Sequence, residues 1–361
     1  MRTIARFAWV AGIAVLAGCA TVGGGTGGSS TGTTDQASTT PPSEWPINTY
    51  EHVDLWLHGF AMIQDDTTLV PFFKRGYKAE LTDLKRRANV TTQLDVNVAN
   101  LRNRFAQNPR LVNAQFIPLY FANLDEMLQA FDIFFRAEGD PRRASNQETA
   151  SLIQLLAGYF PGNSEQQFAQ LFVQSIRDEN NKFYRAYWDQ QQRERATVLT
   201  ATRDQWNQYR NRFERFLNNT SQSGGEIILS LPLDGEGRTL TAGKQENSTA
   251  VTFPLRPAES QEAIYVLAHE LVGQIVQTAV NDNVTPTQTR EGLTDRYVAA
   301  GTVRAGAMLL QKIAPELYPG YQAYYLRSAN RPTGSFTSVF SLPEGIVSAI
   351  SRQLDIVLGG I

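Results

Sequence analysis

The sequence predicts a mainly α-helical chain with one small β-sheet, an α+β fold, and three observations predict it. Apolar residues recur at three- and four-residue spacing from Tyr50 to Asn218 and again from Ser260 onward. A single stretch, opened by Gly224-Gly225, is rich in β-branched residues and punctuated by glycine. The composition, 42% hydrophobic and 19% charged over 361 residues, is that of an ordinary globular protein with material for a sizeable core. A formal net charge of -2, with both signs mixed throughout, gives no electrostatic ground for a nucleic-acid partner.

Taken in order, the chain starts with Arg2 and Arg6, an apolar run over residues 7–16, and the tetrad Leu16-Ala-Gly-Cys19. As a transmembrane helix the run is too short to span comfortably. It resembles the signal peptide of bacterial lipoproteins, with Leu16-Ala-Gly-Cys19 as the lipobox. The resemblance implies that residues 1–18 are removed and that Cys19 becomes the diacylglyceryl-modified, N-acylated first residue. Several acyl chains together anchor a protein stably to a membrane where one does not. Ala20 in place of an aspartate implies export to the outer membrane in a diderm bacterium. Cys19 is the only cysteine, so no intrachain disulfide forms and no thiol is left for catalysis or metal. Residues 19–46, rich in Gly, Ser and Thr and containing Pro41-Pro42, read as a tether with a reach of roughly 25–30 Å.

Residues 47–222 read as a helical region. Val53, Trp56, Leu57 and Phe60 share a face, as do Leu124, Met127, Leu128, Phe131 and Phe134, with breaks at Pro71, Asn108-Pro109, Pro118 and Gly139-Asp-Pro141. His52 and His58, six positions apart, do not share a helix face, and each reads as a core or surface residue. From Gln147 to Asn218 arginines interleave with aromatics. Asp178, Glu179, Asp189, Glu194, Asp204 and Glu214 lie among them, so the segment reads as amphipathic helices with solvated ion pairs and not as a nucleic-acid surface.

Residues 223–361 read as an α+β module. Residues 226–231 and 250–253 are β-rich runs flanking the turn-like Asp234-Gly-Glu-Gly237, which predicts two or three strands. The next segment places Ile264, Leu267, Leu271, Ile275 and Ala279 at helical spacing, predicting one helix of about five turns from an N-cap at Ser260 to Asn281-Asp-Asn283. It carries His269-Glu270. A second helix is predicted from about Pro286 to Lys312, carrying Glu291 and Asp295, and a last one closes the chain over residues 343–358.

His269-Glu270 on one helix and Glu291-x-x-x-Asp295 on the next resemble the gluzincin metallopeptidases, whose first helix bears H-E-x-x-H. The resemblance implies a gluzincin-like module in which zinc is held by His269 and Glu291, Glu270 is the general base, and Asp295 fixes the tautomer of His269 from behind. It implies a sheet edge lining a cleft that takes an extended peptide or protein partner. One of Tyr318, Tyr321, Tyr324 and Tyr325 would serve as oxyanion donor. The pattern departs at Gly273, where a histidine one turn after His269 would complete the pair. Descent from a zinc site predicts that Gly273 faces the same cavity as His269 and Glu291. Two functions follow: a lipoprotein whose metallopeptidase-like module is non-catalytic or altered in metal binding, or an active zinc-dependent peptidase acting in the periplasm or at the cell surface.

Overall fold

The computed structural model describes residues 45–65, 68–241 and 247–359. The signal segment, Cys19 and nearly all of the tether lie outside the described residues. The fold is mainly helical with a four-stranded mixed sheet. The helices are α1 (Glu51–Ile63), α2 (Tyr77–Arg87), α3 (Gln93–Gln107), α4 (Leu124–Arg136), α5 (Gln147–Tyr159), α6 (Asn163–Glu179), α7 (Arg185–Glu194) and α8 (Ala196–Asn219). A π-helical turn, Asn180–Tyr184, joins α6 to α7. After the sheet come α9 (Glu262–Leu271), α10 (Gly273–Asn283), α11 (Pro286–Arg290), α12 (Leu293–Ile313), α13 (Tyr318–Ser328), α14 (Phe336–Val339) and α15 (Glu344–Val357).

The sheet contains β1 (Ile47–Asn48), β2 (Gly225–Ser230), β3 (Arg238–Thr241) and β4 (Asn247–Thr252), in the order β1-β2-β4-β3. β1, β2 and β4 run parallel, and β3 lies antiparallel on the β4 edge. Trp45, at 1% exposure, is already part of the core, and its carbonyl accepts the Trp206 indole N–H at 2.9 Å.

Two apolar cores meet at the sheet. Ile228 and Ala250 face the core built by α1 to α6, whose centre is the stack of Trp56 on Phe131 with Phe172 edge-on to the indole. Ile227, Leu229, Val251 and Phe253 point the other way, into a core shared by α8 to α15. This alternation is what a strand buried on both faces requires. Because α8 sits in the second core and β1 in the shared sheet, the cores do not part the chain at residue 222.

Buried polar groups lock the layers together. Asp54 of α1 accepts from the Ser230 hydroxyl (2.6 Å), the Leu231 N–H (3.0 Å) and the Trp188 indole (3.0 Å), tying α1 to the end of β2 and to α7. Lys74 donates to the carbonyls of Leu231 (3.0 Å) and Phe253 (2.6 Å), just beyond the carboxyl ends of β2 and β4. Each satisfies backbone groups that the sheet leaves unpaired where it stops.

Candidate functional site

The helix carrying His269 is shorter than its periodicity suggests. Pro257–Glu259 forms a 3-10 turn, Gln261 and not Ser260 precedes the first helical residue, and α9 ends at Leu271. Val272 separates it from α10, and the axis of α10 lies 42° from that of Pro257–Leu271, the 3-10 turn and α9 together. Among the described residues no single helix is long and apolar enough to cross a membrane. α9 is apolar for another reason: seven hydrophobic residues, with His269, are buried in the second core.

His269 is 2% exposed, and its ring stacks on Tyr325 with centroids 5.4 Å apart and planes 19° from parallel. Its Nδ1 lies 3.0 Å from Glu270 Oε1, while its Nε2 has no hydrogen-bond partner. Burial pulls the imidazole's pKa down. The Glu270 hydrogen bond and the charges of Glu236 and Glu270 outweigh it and leave the pKa above its ordinary value.

Glu270 is occupied a second time: its Oε1 accepts the Gly237 N–H at 3.0 Å. That bond needs the β2–β3 loop to pass very close, and glycine permits it, because a Cβ at position 237 would run into the Ala250 carbonyl. The loop is pinned on its other side by the Tyr325 hydroxyl, which donates to the Gly235 carbonyl at 3.0 Å. Between these two glycines Glu236 is brought to His269, and one ligand atom from each of Glu236, His269 and Glu270 lies within 4.8 Å of the others. An imidazole nitrogen and two carboxylate oxygens at that separation could hold a metal ion.

The group assembled around His269 is therefore not the expected one. Glu291 and Asp295 are both exposed, and neither joins the group around His269. The physical reason is Gly292, whose φ of 71° ends α11 and starts α12, so the two carboxylates lie on either side of a break and not on one helix. Asp295 does not accept from His269, whose Nδ1 goes to Glu270 and whose Nε2 is unpartnered. Gly273 opens α10 beyond the bend, half-buried, and nothing lies within 4 Å of where its Cβ would be.

Neither other histidine supplies a replacement ligand. His52 Nε2 is 3.0 Å from the Phe121 carbonyl, and His58 sits between Glu179 (3.0 Å) and the Tyr77 hydroxyl (3.1 Å) in the first core. The hydroxyls of three tyrosines proposed for an oxyanion are committed: Tyr321 donates to the Val303 carbonyl, Tyr324 to Asp234 and Tyr325 to Gly235. Glu236 is the residue that sequence reasoning missed. Its signal was a lone acid between glycines, which reads equally as a turn.

No protein-family model matches this chain, and no curated protein or solved structure matches it either.

Proposed function

We propose that this chain is a lipoprotein of the bacterial envelope, anchored through Cys19 in the outer membrane. Its C-terminal module has a metallopeptidase-like frame, with hydrolysis lost and metal binding altered. The carrying observation is the double use of Glu270, whose carboxylate meets both Gly237 N–H and His269 Nδ1 at 3.0 Å. Both contacts fall on Oε1 and hold the carboxylate against His269 and the β2–β3 loop, which supports a ligand or positioning role for Glu270 over that of a general base. Zinc, if bound, would be held by Glu236, His269 and Glu270, and a Glu270 used as ligand no longer activates water. β3, the antiparallel strand at the sheet edge, is the place where an extended peptide partner would pair.

The experiment combines metal binding with hydrolysis on the purified full chain. Zinc should raise the melting temperature of the parent, and the rise should vanish in His269→Ala and shrink in Glu236→Gln. Saturation to about a hundred times Kd would add about 2.7 kcal/mol. Glu291→Gln should behave as the parent does. Zinc-dependent hydrolysis of an unfolded protein substrate, abolished in Glu270→Gln, would overturn the reading in favour of an active peptidase.

A further inference from the structure

Glu236 lies where the β2–β3 loop changes its support. Up to that residue the loop is held by main-chain pairing with residues 71–73: Phe73 bridges Leu233, the Asp234 N–H donates to the Phe72 carbonyl at 2.7 Å, and the Glu236 N–H donates to the Pro71 carbonyl at 3.3 Å. At Gly237 the support passes to α9, through the bond to Glu270. β3 starts at the next residue, is four residues long and pairs on one side only, with β4. None of its residues is fully buried: Arg238 and Thr241 are exposed, Thr239 and Leu240 half-buried. A short strand with so little apolar burial opens at low cost unless something outside it holds it.

The side chains of β3 supply modest ties of their own. The Arg238 guanidinium rests over the rings of Phe72 (5.8 Å) and Phe116 (5.3 Å), and the Thr239 hydroxyl meets that of Thr249 at 3.0 Å. Leu240 and Thr241, at the far end, have no such contact among the described residues. The other edge of the sheet is guarded: Arg203 donates to the Ile47 carbonyl of β1 from Nη2 (2.9 Å) and Nε (3.2 Å). β3 is therefore the edge more open to a partner strand, and its placement decides whether its main-chain groups are aligned to pair.

Of the three residues that could share a metal ion, His269 and Glu270 sit on α9, which is fixed in the second core, and only Glu236 sits on the loop. Both hydrogen bonds that Glu270 accepts fall on Oε1, so its Oε2 can bind a metal while the Gly237 bond is kept. We propose that Glu236, His269 and Glu270 form a metal-dependent latch: with a divalent ion shared among them, the β2–β3 loop is fixed to α9 and edge strand β3 is held in place on β4. The latch rests on the metal reading above and adds what the site controls, the readiness of β3 to accept a partner strand.

The full chain, stripped with a chelator and then supplied with zinc alone, is followed by melting temperature and by hydrogen exchange in overlapping peptides. Zinc should raise the melting temperature and slow exchange across residues 238–241 by about tenfold, while residues 124–136 of α4 exchange as before. Glu236→Ala removes the one ligand on the loop. At zinc concentrations that saturate whatever binding His269 and Glu270 retain, it should show no slowing at 238–241. Three results overturn the latch while leaving the metal site standing: a raised melting temperature with unchanged exchange at 238–241, slowing that stops at Gly237, or parent-like slowing in Glu236→Ala. A melting temperature that zinc does not move overturns the latch and the metal reading together.

Discussion

Glu179 sits at the centre of a buried polar network. It ends α6 with a side chain fully buried, and accepts from His58 (3.0 Å), from Lys85 (2.8 Å) and from the Thr92 hydroxyl. Lys85, itself 3% exposed, also reaches Asp95 at 2.7 Å. Such a group contributes most visibly when it is removed, since His58 and Lys85 then lose a shared buried acceptor, although Lys85 keeps Asp95. Glu179→Ala should cost about 3–5 kcal/mol by chemical denaturation, and Glu179→Gln less, because an amide still accepts one of the bonds. A loss under about 1 kcal/mol for Glu179→Ala would mean that water enters the network and screens it. This network was not legible in the sequence. Glu179, Lys85 and His58 belong to three helices, and nothing in local spacing says which charged residues of an amphipathic pattern turn inward.

Two glycines set the course of the elements around His269, and they make opposite predictions. Gly273 begins α10 without a positive φ and with open space at its Cβ, so Gly273→Ala should stabilise by about 0.5–1 kcal/mol. Gly292 holds φ at 71°, and Gly292→Ala should destabilise by about 1–2 kcal/mol although nothing lies within 4 Å. Urea unfolding of the pair checks both signs. Gly273→His belongs with them. If the histidine stabilises α10 and leaves zinc affinity where it was, position 273 is outside the group around His269; a gain in zinc affinity that disappears on adding His269→Ala would show that residues 269 and 273 can share a metal ion. These breaks explain what was legible at this scale. The periodicities on either side of Val272 and Gly292 were readable, but a helix pattern continues in register across a short break, so two pairs of helices read as two helices. β1 escaped for a related reason, since two residues carry no period and their partners in β2, Ile227 and Ile228, lie about half the chain away. The mainly helical class, the β region after Gly224 and the closing helix were readable because each rests on local pattern alone.

Across the whole molecule, buried ionisable groups of opposite tendency set how stability varies with acidity. Burial pushes the Glu179 carboxyl up, but the hydrogen bond from His58 and the charges of His58 and Lys85 outweigh it and hold it at about 2, below its ordinary 4.5. Burial pushes Asp54 from 3.8 up to about 6, against hydrogen bonds from Ser230, Trp188 and the Leu231 N–H and the attraction of Lys74. The signs are opposite. A depressed acid contributes stability that is present above its unfolded pKa and is lost as pH falls through the folded one, so Glu179 adds stability as pH rises from about 2 to 4.5. A raised acid contributes stability that is complete below its unfolded pKa and is lost as pH rises through the folded one, so Asp54 subtracts it between 3.8 and about 6. Glu262, half-buried and pushed up to about 7, acts in the same direction as Asp54, reduced by solvent screening. The melting temperature should therefore climb from pH 2, pass a maximum near about pH 4 to 5, and decline toward neutrality. Glu179→Gln should flatten the acid limb and leave the decline above the maximum in place. A melting temperature that rises steadily from pH 4 to 7 in the parent would show that Asp54 is charged in the folded protein at little cost. Its three hydrogen bonds would then suffice to offset its burial between α1 and the end of β2.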